Sequence, residues 1–433
     1  MEDVHRASSE SCLIQPLLQQ SNKVEDVESS KHGGNADHPG QGTTSFFKTS
    51  FNGLNALSGV GILSTPFALA SGGWLSLALL FAIALSAFYS AVLIKRSMDF
   101  DPDIVTYPDI GERAFGRHGR ALVSIFMYIE LFLVATGFLI LEGDNLHNLF
   151  PNLHFDLGGL VSGKQGLVIL VALLILPSVW VDNLSLLSYV SASGVLASGI
   201  ILVSIFWTGA CDEVGFRHRG TFVNWSGIPT AVSLYGFCYC AHPVFPTLYS
   251  SMKKKHQFSN VLLLCFILCT IGYASMAVMG YLMFGDGVQS QITLNLPLKK
   301  LSSKIAIYTT LVNPICKYAL MVTPIVNAAK QRLPSCCNTN KKLPSFMVST
   351  TLVISTVIVA LTVPFFGYLM SLVGAFLSIT ASIILPCLCY LKISGRYRRF
   401  EMETVAIMGI IVMGIATAVF GTYTSILEII GHW

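Results

Sequence analysis

Residues 51–74 read FNGLNALSGVGILSTPFALASGGW, and this stretch decides the fold of the chain. Its length and apolar character suit a helix that crosses the roughly 30 Å of hydrocarbon in a bilayer. Gly59, Gly61 and Pro66 nevertheless interrupt it, and a broken helix persists in lipid only where its backbone lines a cavity inside the protein. The stretch therefore predicts a membrane helix that is broken near residues 58–61, beside a binding cavity.

A second interrupted segment, AVSLYGFCYCAHPVFPTLYSSM at 231–252, carries Gly236, His242, Pro243 and Pro246. Two broken segments at matching places in two halves of a chain indicate a transporter built from inverted repeats. The alternative is that these glycines and prolines reflect only their ordinary frequency in membrane helices. We favour functional breaks, because a broken helix offers free N–H groups and a positive dipole end that bind a carboxylate.

The composition places the whole chain in a membrane. Of its 433 residues, 53% are hydrophobic and 12% are charged, and the mean hydropathy is +0.65. Soluble globular proteins carry about 25% charged residues, so a soluble enzyme, a nucleic-acid-binding domain and a disordered scaffold are excluded. The expected fold class is an all-α polytopic membrane protein, with a disordered tail over 1–43 and a transmembrane domain over 44–430.

Hydropathy predicts eleven membrane helices, arranged as two inverted repeats of five plus one extra helix. The first repeat covers about 44–210, the second about 228–393 and the extra helix about 403–429. The polar linker 99–119 is expected to hold a short surface helix over 109–115. The eleven segments run about 44–70, 73–97, 120–142, 166–181, 185–210, 228–250, 259–284, 304–330, 344–365, 367–393 and 403–429.

Basic residues predict the orientation of the chain, because cytoplasmic loops are enriched in Lys and Arg. With the N-terminal tail in the cytoplasm, 20 of the 27 Lys and Arg fall on the cytoplasmic side and six on the other, which leaves Lys317 inside a segment. The sequence thus predicts a cytoplasmic N-terminus. A glycosylation sequon at Asn224 would then lie on the non-cytoplasmic side, and whether it is used stays open.

Two charges lie at membrane depth, Glu130 in the third segment and Lys317 in the eighth. A charge at the bilayer centre costs roughly 2.5–3.5 kcal/mol on insertion scales, so each is a functional candidate. They occupy comparable places in the two repeats, and we expect both to face one central cavity, either paired or serving different steps of a transport cycle. The alternative for each is a structural ion pair or a polar packing contact.

Other titratable residues carry weaker signals. His242 is either a packed residue at a helix break, which we favour, or a ligand or proton-carrying group. Glu142 and Asp144, near the end of the third segment, are expected at the wet interface. The cysteines suggest neither a metal site nor a disulfide framework. No nucleophile or nucleotide motif appears either, so we expect no cofactor and no covalent chemistry.

The sequence resembles the amino acid/auxin permease family, and within it the plant vacuolar amino acid transporters. The resemblance covers about 44–430, and it implies eleven helices in the broken-helix leucine-transporter fold. It also implies proton-coupled secondary transport of amino acids, usually neutral ones, in the vacuolar membrane, with the plasma membrane as the alternative location. Besides the first segment, it rests on DPDIVTYPDIGERAFGRHGR (101–120), ILEGDNLHNLFPN (140–152), LSLLSYVSASGVLAS (184–198) and KYALMVTPIVN (317–327).

Carried over residue by residue, the resemblance implies a substrate site at both breaks. The backbone that would meet the substrate carboxylate and amine lies around Ser58, Gly59, Val60 and Gly61. The facing wall would consist of Phe237, Cys238, Tyr239 and Cys240. One departure from the family pattern is Asp182-Asn183, where the family tends to carry Arg-Asp, and this puts any gating role of that turn in doubt.

The resemblance also bears on the coupling ion. Sodium-coupled relatives hold an ion near the position of Asn55, where Lys317 would place an ammonium instead. A lysine there favours proton coupling, because burial disfavours its charged form and lets it release a proton.

The predicted function is therefore proton-coupled amino-acid transport by alternating access around the two broken segments. The expected partners are an amino-acid substrate, protons and the lipid bilayer, without nucleic acid. Two alternatives stay open. One is a sensor that binds an amino acid and signals through the N-terminal tail, and the other is a sodium-coupled carrier.

Overall fold

The computed structural model describes residues 44–151, 163–180, 185–332, 342–363, 365–398 and 401–431, without the side chains at 185–192, 313, 315, 316, 320, 331, 332, 342–345 and 398. Within these ranges the regular secondary structure is helical, apart from an isolated bridge between Thr44 and Met252, and the helices are joined by turns and irregular segments. The predicted disordered tail and the turn at Asp182-Asn183 lie outside the described residues.

Fourteen α-helices are present in the described ranges, and they are numbered in chain order. They are α1 (Phe46–Leu57), α2 (Thr65–Gly72), α3 (Leu75–Phe100), α4 (Tyr107–Leu149), α5 (Gly163–Trp180), α6 (Ser185–Cys211), α7 (Ile228–Cys238), α8 (Phe245–Ser251), α9 (Phe258–Phe284), α10 (Leu301–Arg332), α11 (Lys342–Thr362), α12 (Phe366–Leu372), α13 (Leu385–Ser394) and α14 (Met402–Gly431).

The helices have the length and composition of membrane spans. Eight in the described part are long and apolar enough to cross a bilayer, and the bent pair α1–α2 makes a ninth. A shorter apolar helix, Phe346–Thr362, forms most of α11, and α7 with α8 covers the predicted sixth segment. The all-helical, multi-pass fold class is therefore confirmed, whereas the count of eleven spans stays a prediction.

Both predicted breaks are present. α1 ends at Leu57, residues 58–59 leave the helix, and a 3-10 turn, Val60–Ser64, leads into α2 at a bend of 44°. α7 ends at Cys238, residues 239–241 are irregular, and a second 3-10 turn, His242–Val244, leads into α8. We call residues 58–59 the first break and residues 239–241 the second break. The two meet at the centre of the bundle, where α9 packs against both helix pairs.

The linker helix is longer than expected. Thr106 and Asp109 form a capping box that starts α4 at Tyr107, two residues before the predicted start. The helix then continues beyond residue 115 with a kink at Gly116, whose positive φ of 67° is costly for a residue with a side chain. The kink lets the surface arm fold back, so that Gly111 and Gly119 approach too closely for any side chain.

α12 and α13 are joined by two π-helical stretches, Val373–Ser378 and Thr380–Ile384. π-helical bulges are rare and often lie at functional sites, because the extra residue redirects side chains and frees backbone groups. Here they pack against α7 and α4 and so form one wall beside the second break.

Candidate helix-break site

The first break combines open space with backbone donors. Gly59 is extended (φ −92°, ψ −171°) and half-buried, and among the described atoms beyond its chain neighbours a Cβ built on it would meet only Leu57 O, at 3.9 Å. Val60 and Gly61 begin the following turn, and the first N–H groups of a helical turn have no partner within it. A ligand carboxylate would therefore find both room and hydrogen-bond donors beside Gly59.

Gly61 has a different role from Gly59. A Cβ on Gly61 would lie 3.0 Å from Cys238 Sγ and 3.3 Å from Cys238 Cα. No ligand fits between these two residues, so the two broken helices are in direct contact at Gly61. Val60 is likewise buried. Of the four predicted residues at this break, the open space therefore lies at Gly59.

Lys317 reaches the first break from α10. Its side chain is 4% exposed, and its Nζ donates to Ser58 O at 3.1 Å. The Ser58 hydroxyl in turn lies within hydrogen-bonding distance of the Ser198 hydroxyl on α6. The ammonium thus holds a carbonyl that the break removes from helical hydrogen bonding.

Asn55 and Lys317 meet at a glycine of α6. A Cβ built on Gly194 would lie 2.0 Å from Asn55 Oδ1 and 3.1 Å from Lys317 Cε, so only glycine fits. Asn55 Oδ1 is buried and has no hydrogen-bond partner in the described structure. α1, α6 and α10 therefore surround a small polar site that holds one ammonium and one unpaired amide oxygen.

Glu130 lies at the other break. It is 4% exposed, and Ser378 in the π-helical stretch donates a 2.6 Å hydrogen bond to its Oε1. Both residues lie close to Cys240 of the second break. No ion pair joins Glu130 to Lys317 within the described side chains. Lys317 therefore lies at the first break and Glu130 beside the second, each with its own partner.

The predicted wall at the second break is mostly buried. Phe237, Cys238 and Tyr239 are covered, and Cys240 is half-buried. The Tyr239 hydroxyl bonds to Thr270 Oγ1 at 2.8 Å on α9, so the tyrosine side chain is directed toward α9. Cys240 is the member of this set with the most accessible surface.

His242 joins the second break to α3. It is fully buried, and its Nε2 lies 2.9 Å from Ala87 O and 2.9 Å from Ser90 Oγ. Since a carbonyl only accepts, Nε2 carries the hydrogen. Nδ1 has no partner among the described atoms. These contacts suit the packed role that we favoured, while leaving one ring nitrogen able to accept a proton.

Sequence reasoning missed several residues of the site. Gly194, Ser198 and Tyr273 contact the first break, yet each lies in a helical stretch where no local pattern marks it. Glu142 was expected at the wet interface and is instead fully buried, and neither carboxylate oxygen has a hydrogen-bond partner among the described atoms. Asp144 is partly covered and pairs with Lys164 at 2.5 Å. Only three-dimensional packing reveals these positions.

A cavity of about 550 Å³ opens at the end of the molecule farther from Thr44. None of the predicted substrate residues lines it, so it is separate from the breaks. Within the described ranges, no group of three His, Cys, Asp or Glu side chains is placed to hold a metal ion. The lining residues of the cavity are Phe67, Ala70, Ser71, Thr221, Val223, Asn224, Asp286 and Val288.

Known proteins resemble this chain over most of its length. It is 62% identical over 391 residues to amino acid transporter AVT1I of Arabidopsis thaliana, covering 90% of this chain and 96% of that protein. It is 61% identical over 413 residues to AVT1J of the same plant, covering 95% and 96%. Identity to the vesicular GABA transporter of Caenorhabditis elegans is 26% over 439 residues, covering 96% and 85%. The proteins matched here are named as transporters, which is a non-enzymatic function.

Solved structures share the fold at low identity. The inward-facing conformation of Mhp1 aligns with a TM-score of 0.55 at 12% identity, covering 92% of this chain and 94% of that one. MhsT in complex with L-phenylalanine aligns with a TM-score of 0.52 at 12% identity, covering 90% and 98%. These alignments confirm the broken-helix fold.

Because the family model for transmembrane amino acid transporter proteins matches residues 42–427, the chain belongs to that family.

Proposed function

We propose that this protein is a secondary active carrier that moves neutral amino acids across the vacuolar membrane, coupled to protons. Its N-terminus would face the cytoplasm. The family membership, the fold and the names of the plant relatives support an amino acid as substrate. Alternating access would proceed by movement of α1–α2 and α7–α8 at their breaks.

The substrate would bind between the two breaks. Its carboxylate would accept from the N–H groups that start the Val60–Ser64 turn, in the space beside Gly59. The side chain would face the second break. Cys240, the most accessible member of that wall, carries no charge, which suits amino acids with uncharged side chains. The nearby Glu130 carboxyl is buried and bonded to Ser378.

The single observation that carries the coupling proposal is the contact of Lys317 Nζ with Ser58 O. The C-terminal end of a helix carries a partial negative charge of roughly one half, so an ammonium stabilises the end of α1. Loss of the proton removes that charge and weakens the attraction. Proton release from Lys317 would therefore free α1 to move, which links protonation to the conformation of the first break.

Uptake into reconstituted vesicles tests this role of Lys317. Lys317→Met keeps the length of the side chain but removes the charge, and Lys317→Arg keeps a charge that does not titrate. We expect both variants to lose accumulation driven by a pH gradient, while exchange of substrate across the vesicle membrane persists in part. Accumulation at the wild-type level by Lys317→Met would refute the proposed coupling.

Sodium coupling is the second candidate, favoured by the unpaired oxygen of Asn55 beside Lys317. Replacing sodium with potassium on both sides of the vesicle membrane distinguishes sodium coupling from proton coupling. Uptake that survives this exchange and follows the pH gradient supports proton coupling. Uptake that requires sodium and ignores the pH gradient supports the sodium-coupled carrier instead.

The sensor alternative depends on the N-terminal tail, which lies outside the described residues. Deleting residues 1–40 leaves the whole helix bundle in place. A carrier would keep its uptake after this deletion. A sensor would bind an amino acid but transport none, with or without the tail.

A further inference from the structure

We propose that Tyr273 is a positioning residue whose hydroxyl ties the two helix breaks together. It lies in the middle of α9, 1% exposed, and its Oη is 2.5 Å from Leu57 O and 3.1 Å from Cys238 O. This inference rests on the proposed transport function, since the tie would set the geometry of the substrate site.

The two acceptors are the carbonyls at the ends of the two half-helices. Leu57 is the last residue of α1 and Cys238 is the last residue of α7. The last carbonyls of a helix have no partner within it, and an unpaired carbonyl at membrane depth is costly. Outside the helix, Leu57 O also accepts from Gly59 N at 2.7 Å, so Tyr273 is its second donor. Tyr273, from a third helix, supplies a donor at the point where both helices end.

One hydroxyl hydrogen serves two carbonyls. The hydroxyl hydrogen can form a full hydrogen bond with only one of the two carbonyls. The shorter contact indicates that Leu57 O is the main acceptor in this conformation. If α1 moves away, the hydroxyl can rotate toward Cys238. The breaks belong to different repeats, and they also touch directly at Gly61 and Cys238. Tyr273 thus keeps at least one break paired while the other moves.

The ring of Tyr273 is held in place by its neighbours. Its edge packs against the ring of Tyr239, with centroids 5.4 Å apart and planes at 78°. Tyr239 itself is anchored on α9 through Thr270. The hydroxyl is therefore aimed at the breaks by packing, so removing it leaves the ring and the packing unchanged.

Tyr273→Phe tests the tie in uptake. We expect the apparent KM for substrate to rise about tenfold, with the maximal rate within about twofold of the wild type, because the binding backbone is no longer fixed. Tyr318→Phe is the matched control: it loses a buried hydroxyl contact of 2.6 Å to Thr356 on α11, away from the breaks. We expect it to keep the wild-type KM. An unchanged KM in Tyr273→Phe would overturn the proposal.

Thiol labelling gives a readout that does not depend on transport. A small membrane-permeant maleimide is applied to the purified full chain, and labelling of Cys238 and Cys240 is quantified by mass spectrometry. We expect several-fold faster labelling in Tyr273→Phe and none of this increase in Tyr318→Phe. Equal labelling rates in the wild type and Tyr273→Phe, or equally faster labelling in both variants, would overturn the proposal that Tyr273 ties the breaks together. A wild type without transport would refute the proposed function, and the labelling would still decide the role of Tyr273.

If the Tyr273→Phe protein cannot be produced in folded form, a measurement on the wild type alone still tests the proposal. If one hydroxyl ties the breaks, the backbone amides on both sides of the tie should become exchangeable together. Hydrogen exchange of the full chain across a range of temperatures should then show parallel increases at 57–61 and 238–241. Independent responses of the two segments would overturn the proposal.

Discussion

Lys317 and Glu130 are two buried ionisable residues, and each makes one hydrogen bond at or beside a different helix break. Lys317 donates to a carbonyl of the first break, and Glu130 accepts from Ser378 beside the second. The charges are opposite in sign but are not joined to each other in the described structure. Each can therefore change its protonation without breaking an ion pair with the other, which suits two separate steps of a transport cycle.

Glu130→Gln should lower the maximal rate of transport at least tenfold. The amide oxygen of glutamine can still accept from Ser378, so the packing is kept while the titrating group is lost. Uptake into vesicles measures the rate, and the unfolding temperature checks the fold. Ser378→Ala is the control that removes the hydroxyl and keeps the carboxyl. An unchanged rate in Glu130→Gln would make Glu130 a structural residue.

Gly194→Ala should impair both substrate binding and stability. The added Cβ would lie 2.0 Å from Asn55 Oδ1, so Asn55 or α6 must shift, and such overpacking costs about 1–3 kcal/mol. Gly199→Ala on the same helix is the matched control, because nothing lies within 4 Å of its Cβ. Substrate binding and unfolding temperature are measured for both. Equal behaviour of the two variants would contradict this account of the site.

Among the helical elements, α1 and α8 are joined at the end nearest the N-terminal tail. Thr44 N donates to Ser251 O at 2.9 Å, and Lys253 N donates to Thr44 O at 3.0 Å. Tyr249 on α8 donates to Asp99 on α3, which also pairs with Lys95 at 2.6 Å. These contacts hold residues beside α1, α3 and α8 together on this side of the molecule. Under the proposed alternating access, they would have to open.

Tyr249→Phe should favour opening of the tail side, because it removes the link between α8 and Asp99. Cys265 reports the opening: it is 1% exposed, and its Sγ contacts Ser50 O of α1 at 3.4 Å. We expect faster maleimide labelling of Cys265 in this variant. Tyr423→Phe, at an exposed position on α14, is the control. Labelling at the wild-type rate in Tyr249→Phe would contradict the proposal that the bond between Tyr249 and Asp99 restrains opening of the tail side.

The sequence predicts the elements of this site better than their contacts. Glycines and prolines within apolar segments marked both breaks, because such residues are costly in an ordinary membrane helix. The same reasoning could not separate Gly59, which borders open space, from Gly61, which packs on Cys238. It also missed Tyr273, since a tyrosine in an apolar helix gives no signal until its partners are known. The pairing of Glu130 depends on a π-helical stretch that no local pattern predicted.

Across the whole molecule, α14 contacts helices from both halves of the chain. Near its start, Glu403 pairs with Arg96 of α3 and with Arg396. Near its end, Glu428 accepts from Thr230 of α7 at 2.8 Å, and Ser425 bonds to Ser371 of α12 at 2.8 Å. The opposite face of α14 is apolar and exposed, as expected for contact with lipid. α14 thus links helices of both halves near its start and near its end.

The most direct test of the central claim is substrate-dependent proton flux in vesicles that contain the purified full chain, screened across the twenty amino acids. We predict that neutral amino acids drive proton movement in the wild type, in the presence or absence of sodium. Lys317→Met should abolish this flux. Amino-acid transport without any proton movement, or a proton flux that Lys317→Met leaves unchanged, would contradict the account.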